Sequence, residues 1–299
     1  MSEEQAYLQD VVQRLLEERP TDRQGVQRIK REAARVHPVD RVASNATLLN
    51  ALPDEEREAF LPILRKKPTR SLSGVAIVTV QAPPEACPHG TCTFCPGGPS
   101  KGTAQSYTGH EPAARRAARH AFDPFEQARS RLVELERNGH PVDKVDLIVQ
   151  GGTFPARDPQ DQRVFIKALY DALNSHGQEP QRAETLAKAQ AINETATCRA
   201  IGLTLETKPD WCLEPHQDMM LELGTTRVEI GVQTVYDEVL QATHRGHTMA
   251  ETYRSSQLAR DAGLKVCYHL MPGLPGSTPE MDLESARQTF EDPRLRPDM

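Results

Sequence analysis

The sequence predicts an α/β chain: a partial, TIM-like (β/α) barrel over residues 71–299, preceded by a helical segment over 1–70. Three observations carry this. From Ser73 onward, short β-rich runs alternate with longer helical ones, the pattern of parallel strands joined by right-handed crossovers. Along the clearest of these runs one face is oily and the other small or polar, whereas both faces of a doubly wound sheet are buried and apolar. The residues able to do chemistry collect just after the strands, at the C-terminal rim where such barrels bind ligands.

Composition sets the bounds. The chain has 299 residues, 37% hydrophobic and 5% aromatic, enough for one large domain or two modest ones. No apolar run approaches the roughly 20 residues a bilayer requires. The acidic, helical opening "MSEEQAYLQD" is unlike a secretory or organellar signal. A soluble, cytoplasmic protein is expected, with no membrane partner. In that reducing compartment six cysteines argue against a disulfide framework.

Residues 3–19 and 22–36 read as helices. Leu8, Val11, Val12, Leu15 and Leu16 recur at helical spacing, and Pro20-Thr21-Asp22 breaks and recaps the chain. "LLNALPDEEREAFLPIL" continues in the same style. Strands follow at 75–81, 145–150, 200–206, 227–233 and 264–271, with helices at 112–138, 159–174, 181–194, 214–223, 236–242 and 248–262. In "AIGLTLE", Ile201, Leu203 and Leu205 oppose Gly202, Thr204 and Glu206. In "RVEIGVQ", Val228, Ile230 and Val232 oppose Glu229, Gly231 and Gln233. In "VDLIVQ", Val145, Leu147 and Val149 oppose Asp146, Ile148 and Gln150. The oily faces would meet the helix ring and the polar faces would line a cavity.

The loop "CPHGTCTFCPGGP" at 87–99 places three cysteines within nine positions. Structural zinc takes four ligands, and Cys87, His89, Cys92 and Cys95 supply that number, although His89 lies only two residues from Cys87. Iron–sulfur clusters are held by thiolates, and three clustered cysteines would leave one iron open. The residues alone leave zinc and an incompletely ligated cluster both standing. Cys198, Cys212 and Cys267 are scattered and read as core thiols.

The net charge is −6, yet from Leu61 to Arg119 eight Lys/Arg face two acids, a local +6 around the cysteine loop. Such a surface suits a phosphate-rich partner, with a plain solvated face as the alternative.

The motifs "KPTRSLSGVAIV", "CPHGTCTFCPGGP", "QSYTGHEP", "VDKVDLIVQGGTF", "LTLETKPDWC", "TTRVEIGVQTVYDEVL", "HRGHT" and "MPGLPG" occur in this order. Together they resemble the catalytic subunit of Elongator and its single-chain archaeal and bacterial relatives, within the radical S-adenosylmethionine (SAM) enzymes. The likeness runs from about residue 60 to the end and is looser before it. The usual cysteine spacing of radical SAM enzymes is C-x-x-x-C-x-x-C; here the first gap holds four residues. Lys208 stands where the family generally has arginine.

The resemblance implies a barrel of radical SAM type and a tRNA uridine carboxymethyltransferase, also called an acetyltransferase. Cys87, Cys92 and Cys95 would hold a 4Fe-4S cluster, with SAM on the open iron. The radical formed from SAM would activate acetyl-CoA, the co-substrate. A carboxymethyl group would end on C5 of the wobble uridine in the anticodon stem-loop. Gly151, Gly152, Thr153 and Phe154 resemble the glycine motif whose backbone receives the SAM amino group, a plain βα turn being the competing role. Glu229 and Gln233 would accept from its ribose. Glu206 would sit beside SAM or substrate, a structural ion pair of these carboxylates with Lys208 or Arg227 being the competing role. His269 and Met271 share a face and read as core filling, with contact to SAM the alternative. By resemblance Lys144 contacts acetyl-CoA. Phosphates of tRNA would meet Lys66, Lys67, Arg70, Lys101, Arg115, Arg116 and Arg119, and Tyr107 would stack on a base or simply pack. The N-terminal segment is expected to assist tRNA binding. An electron donor is implied, as are either homo-oligomers or Elongator-like partner subunits.

Family chains continue past "RPDM" with a last barrel strand, a zinc-binding linker and an acetyltransferase-like domain. The resemblance therefore implies a barrel that binds cluster and SAM but does not complete the reaction alone. The competing readings are a non-catalytic tRNA-binding module with a structural metal loop, and part of a protein (histone) acetyltransferase, for which this chain offers no residues.

Overall fold

The computed structural model describes residues 2–299, which divide into two compact units. The first runs to Ala76 and also takes Arg131–Lys144. Its helices are α1 (Glu3–Glu18), α2 (Arg23–Val36), α3 (Asn45–Ala51) and α4 (Asp54–Leu64). Ser2 and Gln5 form a reciprocal capping box that starts α1, and the Asp22 carboxylate accepts from the Gly25 amide at 2.7 Å to start α2. Tyr7, Val11 and Leu15 of α1 close onto Val26, Ile29 and Ala33 of α2 and onto Leu48, Phe60 and Leu64, all buried. The stretch 131–144 joins this unit through specific polar contacts. The Lys66 amide donates to the Asn138 carbonyl at 3.1 Å, and Ser71 Oγ lies 2.8 Å from His140 Nδ1.

The second unit comprises Ile77–Ser130 and Val145–Met299. It is built on a five-stranded sheet in the order β1 (Ala76–Gln81), β2 (Lys144–Gln150), β3 (Arg199–Thr207), β4 (Arg227–Gln233) and β5 (Lys265–Leu270). The β3–β4 and β4–β5 pairs are parallel. Between and after the strands lie α5 (Pro112–Arg119), α6 (Pro124–Arg137), α7 (Pro159–Asn174), α8 (Leu186–Asn193), α9 (Glu214–Leu223), α10 (Asp237–Ala242), α11 (Met249–Asp261) and α12 (Pro279–Glu291). Among the described residues no helix is long and apolar enough to cross a membrane.

Strand parity holds where the strands pair. Val145, Leu147, Val149, Leu203, Leu205, Val228, Ile230 and Val232 are buried, while Asp146, Gln150, Glu206, Glu229 and Gln233 are half-buried on the other face. Ile201 departs from the expectation at 48% exposure. The β3–β4 register opens at Thr204, opposite Arg227, so the start of β3 overhangs its partner. The single helix expected over 112–138 is two. Ala121 and Phe122 adopt left-handed backbone (φ 49° and 60°), and the Asp123 carboxylate then accepts from the Glu126 amide at 2.8 Å to restart the helix at Pro124. Beside β5, the Asp298 amide donates to Val266 at 2.7 Å and the Tyr268 amide to Met299 at 3.0 Å.

Candidate functional site

The C-terminal rim of the sheet encloses a cavity of about 370 Å³. The loop after β1 brings Cys87 and Cys95 to it, the turn after β2 brings Gly152 and Thr153, and the end of β3 brings Glu206 and Lys208. From β4 come Glu229, Gly231 and Gln233, from the loop after α10 Arg245, and from the end of β5 His269 and Met271. Cys92 is buried, and all six cysteines are free thiols.

Each thiol of the loop has its own partners. Cys87 Sγ lies 3.6 Å from Thr153 Oγ1. Cys92 Sγ lies 3.2 Å from His89 Nε2 and 3.8 Å from Arg245 Nη1. Cys95 Sγ accepts from Gln105 Nε2 and from the Ser106 amide, each at 3.2 Å. Burial pushes the Cys87 thiol up, against the pull of the Thr153 hydroxyl and the charges of Lys208 and Arg245. Burial first, then the same two cations, takes His89 down to about 4, so its ring is neutral at pH 7.

Lys208 is 1% exposed and Arg245 6%. Lys208 Nζ pairs with Asp210 at 3.1 Å. Arg245 donates to the Gly231 carbonyl at 2.8 Å, while its Nε is buried without a hydrogen-bond partner. A buried guanidinium with only neutral partners is costly, so this part of the cavity suits an anion. The rest of the rim is acidic. Tyr107 donates to both oxygens of Glu206 at 2.8 Å, and burial raises the Glu206 carboxyl to about 7 despite that bond. Glu229 lies 3.3 Å from His269 Nε2 and 3.6 Å from Arg227 Nε. A hydrogen bond with Cys267, and then Glu229, lift His269 to about 10.

Among the described residues no three His, Cys, Asp or Glu side chains converge to hold one ion, a poor match to a tetrahedral zinc site. The cysteines of an iron–sulfur cluster each bind a different iron, so they need not meet at a point. Three thiols, each already supplied with hydrogen-bond donors and flanked by two buried cations, fit the surroundings such a cluster requires. Cys87, Cys92 and Cys95 would hold it.

Comparison with known proteins agrees. The pattern of the radical SAM superfamily matches residues 83–288, more than half of the chain. The chain belongs to the radical SAM superfamily. The ELP3 N-terminal domain matches residues 5–72. The tRNA uridine(34) acetyltransferase of Methanocaldococcus jannaschii is 46% identical over all of this chain and 56% of its own length. Elongator complex protein 3 of Homo sapiens is 39% identical over 97% of this chain and 54% of its own. Among solved structures, the Methanocaldococcus infernus Elp3 with an N-terminal deletion superposes with a TM-score of 0.62 at 41% identity, covering 76% of this chain and 44% of that one. The chain thus spans about half the length of the relatives it matches.

Within this radical SAM barrel the structure brings together the cysteines, Gly152, Thr153, Glu206, Glu229 and Gln233. Gly151 and Gly152 both have positive φ, 128° and 77°. Gln233, also left-handed at φ 72°, follows a register shift in β4–β5, and its Oε1 is buried without a partner. The ion pair weighed for the carboxylates is real for Glu229 with Arg227, whereas Glu206 binds Tyr107 and Lys208 binds Asp210. His269 and Met271 correct the core-filling expectation: both line the cavity, and Met271 is 37% exposed. Lys144 opens β2, at the strand end away from Gly151, exposed and 3.8 Å from Asp143. Lys66, Lys67 and Arg70 are exposed in the first unit. Lys101, Arg115 and Arg119 are exposed in the second, where Arg116 donates to the Thr79 carbonyl. Sequence patterns assign no role to Arg245 or Gln105. Arg245 carries a signal, a charged residue beside glycine in "HRGHT"; Gln105 carries none.

Proposed function

We propose that this chain is the radical SAM core of a cytoplasmic tRNA-modifying enzyme, and that the reaction it serves places a carboxymethyl group from acetyl-CoA on C5 of the wobble uridine. One observation carries the reading: a loop of three individually hydrogen-bonded thiols, two of which line it, flanks a rim cavity that combines two buried cations with two carboxylates. Cys87, Cys92 and Cys95 would hold a four-iron cluster, which would supply the one-electron chemistry that cleaves SAM. The residues of the chain bind and orient. Arg245, with Lys208 beside it, offers positive charge to a carboxylate. Glu229 and Gln233 offer acceptors to ribose hydroxyls, and the Gly151–Thr153 backbone receives the amino group. Glu206, protonated near neutrality and held by Tyr107, is a proton carrier inside the cavity. The names of the relatives and the exposed Lys66, Lys67, Arg70, Lys101, Arg115 and Arg119 support tRNA as the substrate. Lys144, at the far end of β2 from this rim, rests as an acetyl-CoA contact on the resemblance alone, and an external electron donor is required.

The test is anaerobic purification with iron and sulfide analysis, then incubation with SAM and dithionite. Iron, sulfide and 5′-deoxyadenosine are expected, all lost in Cys92→Ala. Nucleoside mass analysis after adding tRNA and acetyl-CoA reads the full reaction. A colourless, zinc-bearing protein that still retains tRNA would replace this reading with a non-catalytic binding module.

A further inference from the structure

We propose that His89 is a positioning residue for the Cys92 thiolate, and that its hydrogen bond raises the reduction potential of the centre the three cysteines hold. The proposal rests on the cluster reading above. Cys92 is the buried thiol of the three, and Cys87 and Cys95 are half-buried. His89 Nε2 reaches its sulfur at 3.2 Å from within the same loop. The four-residue gap between Cys87 and Cys92 allows this. The Gly90 amide turns back to the Cys87 carbonyl at 3.0 Å, a tight turn with His89 inside it.

The ring is held there by a second loop. A Cβ on Gly246 would fall 2.6 Å from the Cβ of His89, so only glycine lets that backbone press against the histidine. The neighbouring Arg245 extends Nη1 to 3.8 Å from the same sulfur, and the Thr93 amide donates to Thr243 at 3.1 Å. Two loops thus bring two nitrogens to one sulfur; toward a thiolate the ring can only donate, which selects the Nε2–H tautomer of His89.

A donor on a ligating sulfur withdraws electron density. It stabilises the more negative, reduced state over the oxidised one, and so raises the potential. Removing the ring should therefore make the centre harder to reduce. Arg245 would remain, so the loss is partial.

The experiment compares wild type, His89→Phe and His89→Gln, each purified and reconstituted without oxygen, by redox titration followed by electron paramagnetic resonance. Equal iron and sulfide in all three is expected. At a fixed poise His89→Phe should show a reduced-to-oxidised ratio about tenfold lower, about 59 mV for one electron. His89→Gln, which keeps an N–H, should recover most of it. Independently of any variant, wild type carrying 15N-histidine should show the weak nitrogen coupling of a hydrogen-bonded ring. An unchanged ratio in His89→Phe with full iron overturns the proposal, as does strong coupling from a ligated ring, or no coupling. A wild type without iron and sulfide overturns the cluster reading first and the proposal with it.

Discussion

Tyr107 donates its hydroxyl to both oxygens of Glu206, at 2.8 Å to each, from a loop 99 residues away in sequence. Even with that bond, burial holds the Glu206 carboxyl at about 7 rather than the ordinary 4.5. A carboxyl raised in the folded state stabilises fully below its unfolded value, and that stability is lost as pH rises through the folded one. Wild type should therefore lose up to about 3 kcal/mol between pH 4.5 and 7, a loss that Glu206→Gln escapes. Urea unfolding of both proteins at intervals from pH 5 to 8 measures it, and parallel curves would remove the assignment.

His269 acts in a higher window. Raised from 6.5 to about 10 by Cys267 and Glu229, it contributes stability that is whole below pH 6.5 and disappears as pH passes 10. Glu229→Gln removes one of its supports, leaving Cys267 and the charge of Glu206. NMR titration of the imidazole should then show its midpoint moving down, and an unmoved midpoint would mean that Glu229 does not hold the ring.

Gly231 makes room for Arg245. A Cβ there would sit 2.4 Å from Arg245 Nη2, the guanidinium nitrogen that donates to the Gly231 carbonyl. Gly231→Ala should displace the guanidinium, at a stability cost of about 1 kcal/mol. If Arg245 anchors a carboxylate, one charge-assisted bond of about 1.5–3 kcal/mol is removed, and SAM binding to the cluster-loaded protein weakens ten- to a hundredfold. Calorimetry reads the affinity; an unchanged Kd would take Arg245 out of the SAM site.

Lys66 and Lys67 are exposed. If both meet phosphates, replacing them with glutamate should weaken tRNA binding across sequences. It should also flatten the dependence of log K on log salt by about one for each phosphate no longer neutralised. Titration at several salt concentrations decides, and an unaltered slope would place the tRNA elsewhere.

Leu15, wholly buried in the core of the first unit, offers a check on the fold. Leu15→Ala should cost about 2–5 kcal/mol through reduced burial and the cavity left behind, read by thermal unfolding. A negligible change would contradict the packing of α1 on α2.

Much of this was legible in the chain itself. Period-2 alternation in Val145–Val149 and Val228–Val232 specifies which face of each strand turns inward, because a one-residue slip would expose the whole apolar set. The cysteine loop stands out through its thiol density, and Gly151-Gly152 marks the turn after β2. Local backbone exceptions were harder to read: the left-handed Ala121 and Phe122 split one expected helix, and the overhang of β3 exposes Ile201.

What sequence alone determined is the set of local preferences: which runs are strands, which helices, and which loops carry reactive groups, since periodicity and turn chemistry act between near neighbours. What only the tertiary structure decided is who meets whom. Tyr107 on Glu206, Arg245 on Cys92 and the return of 131–144 to the N-terminal helices join residues far apart in the chain. The cost of burying a charge or a thiol is met by partners that no local pattern names, so these pairings emerge only once the sheet has brought its C-terminal ends together.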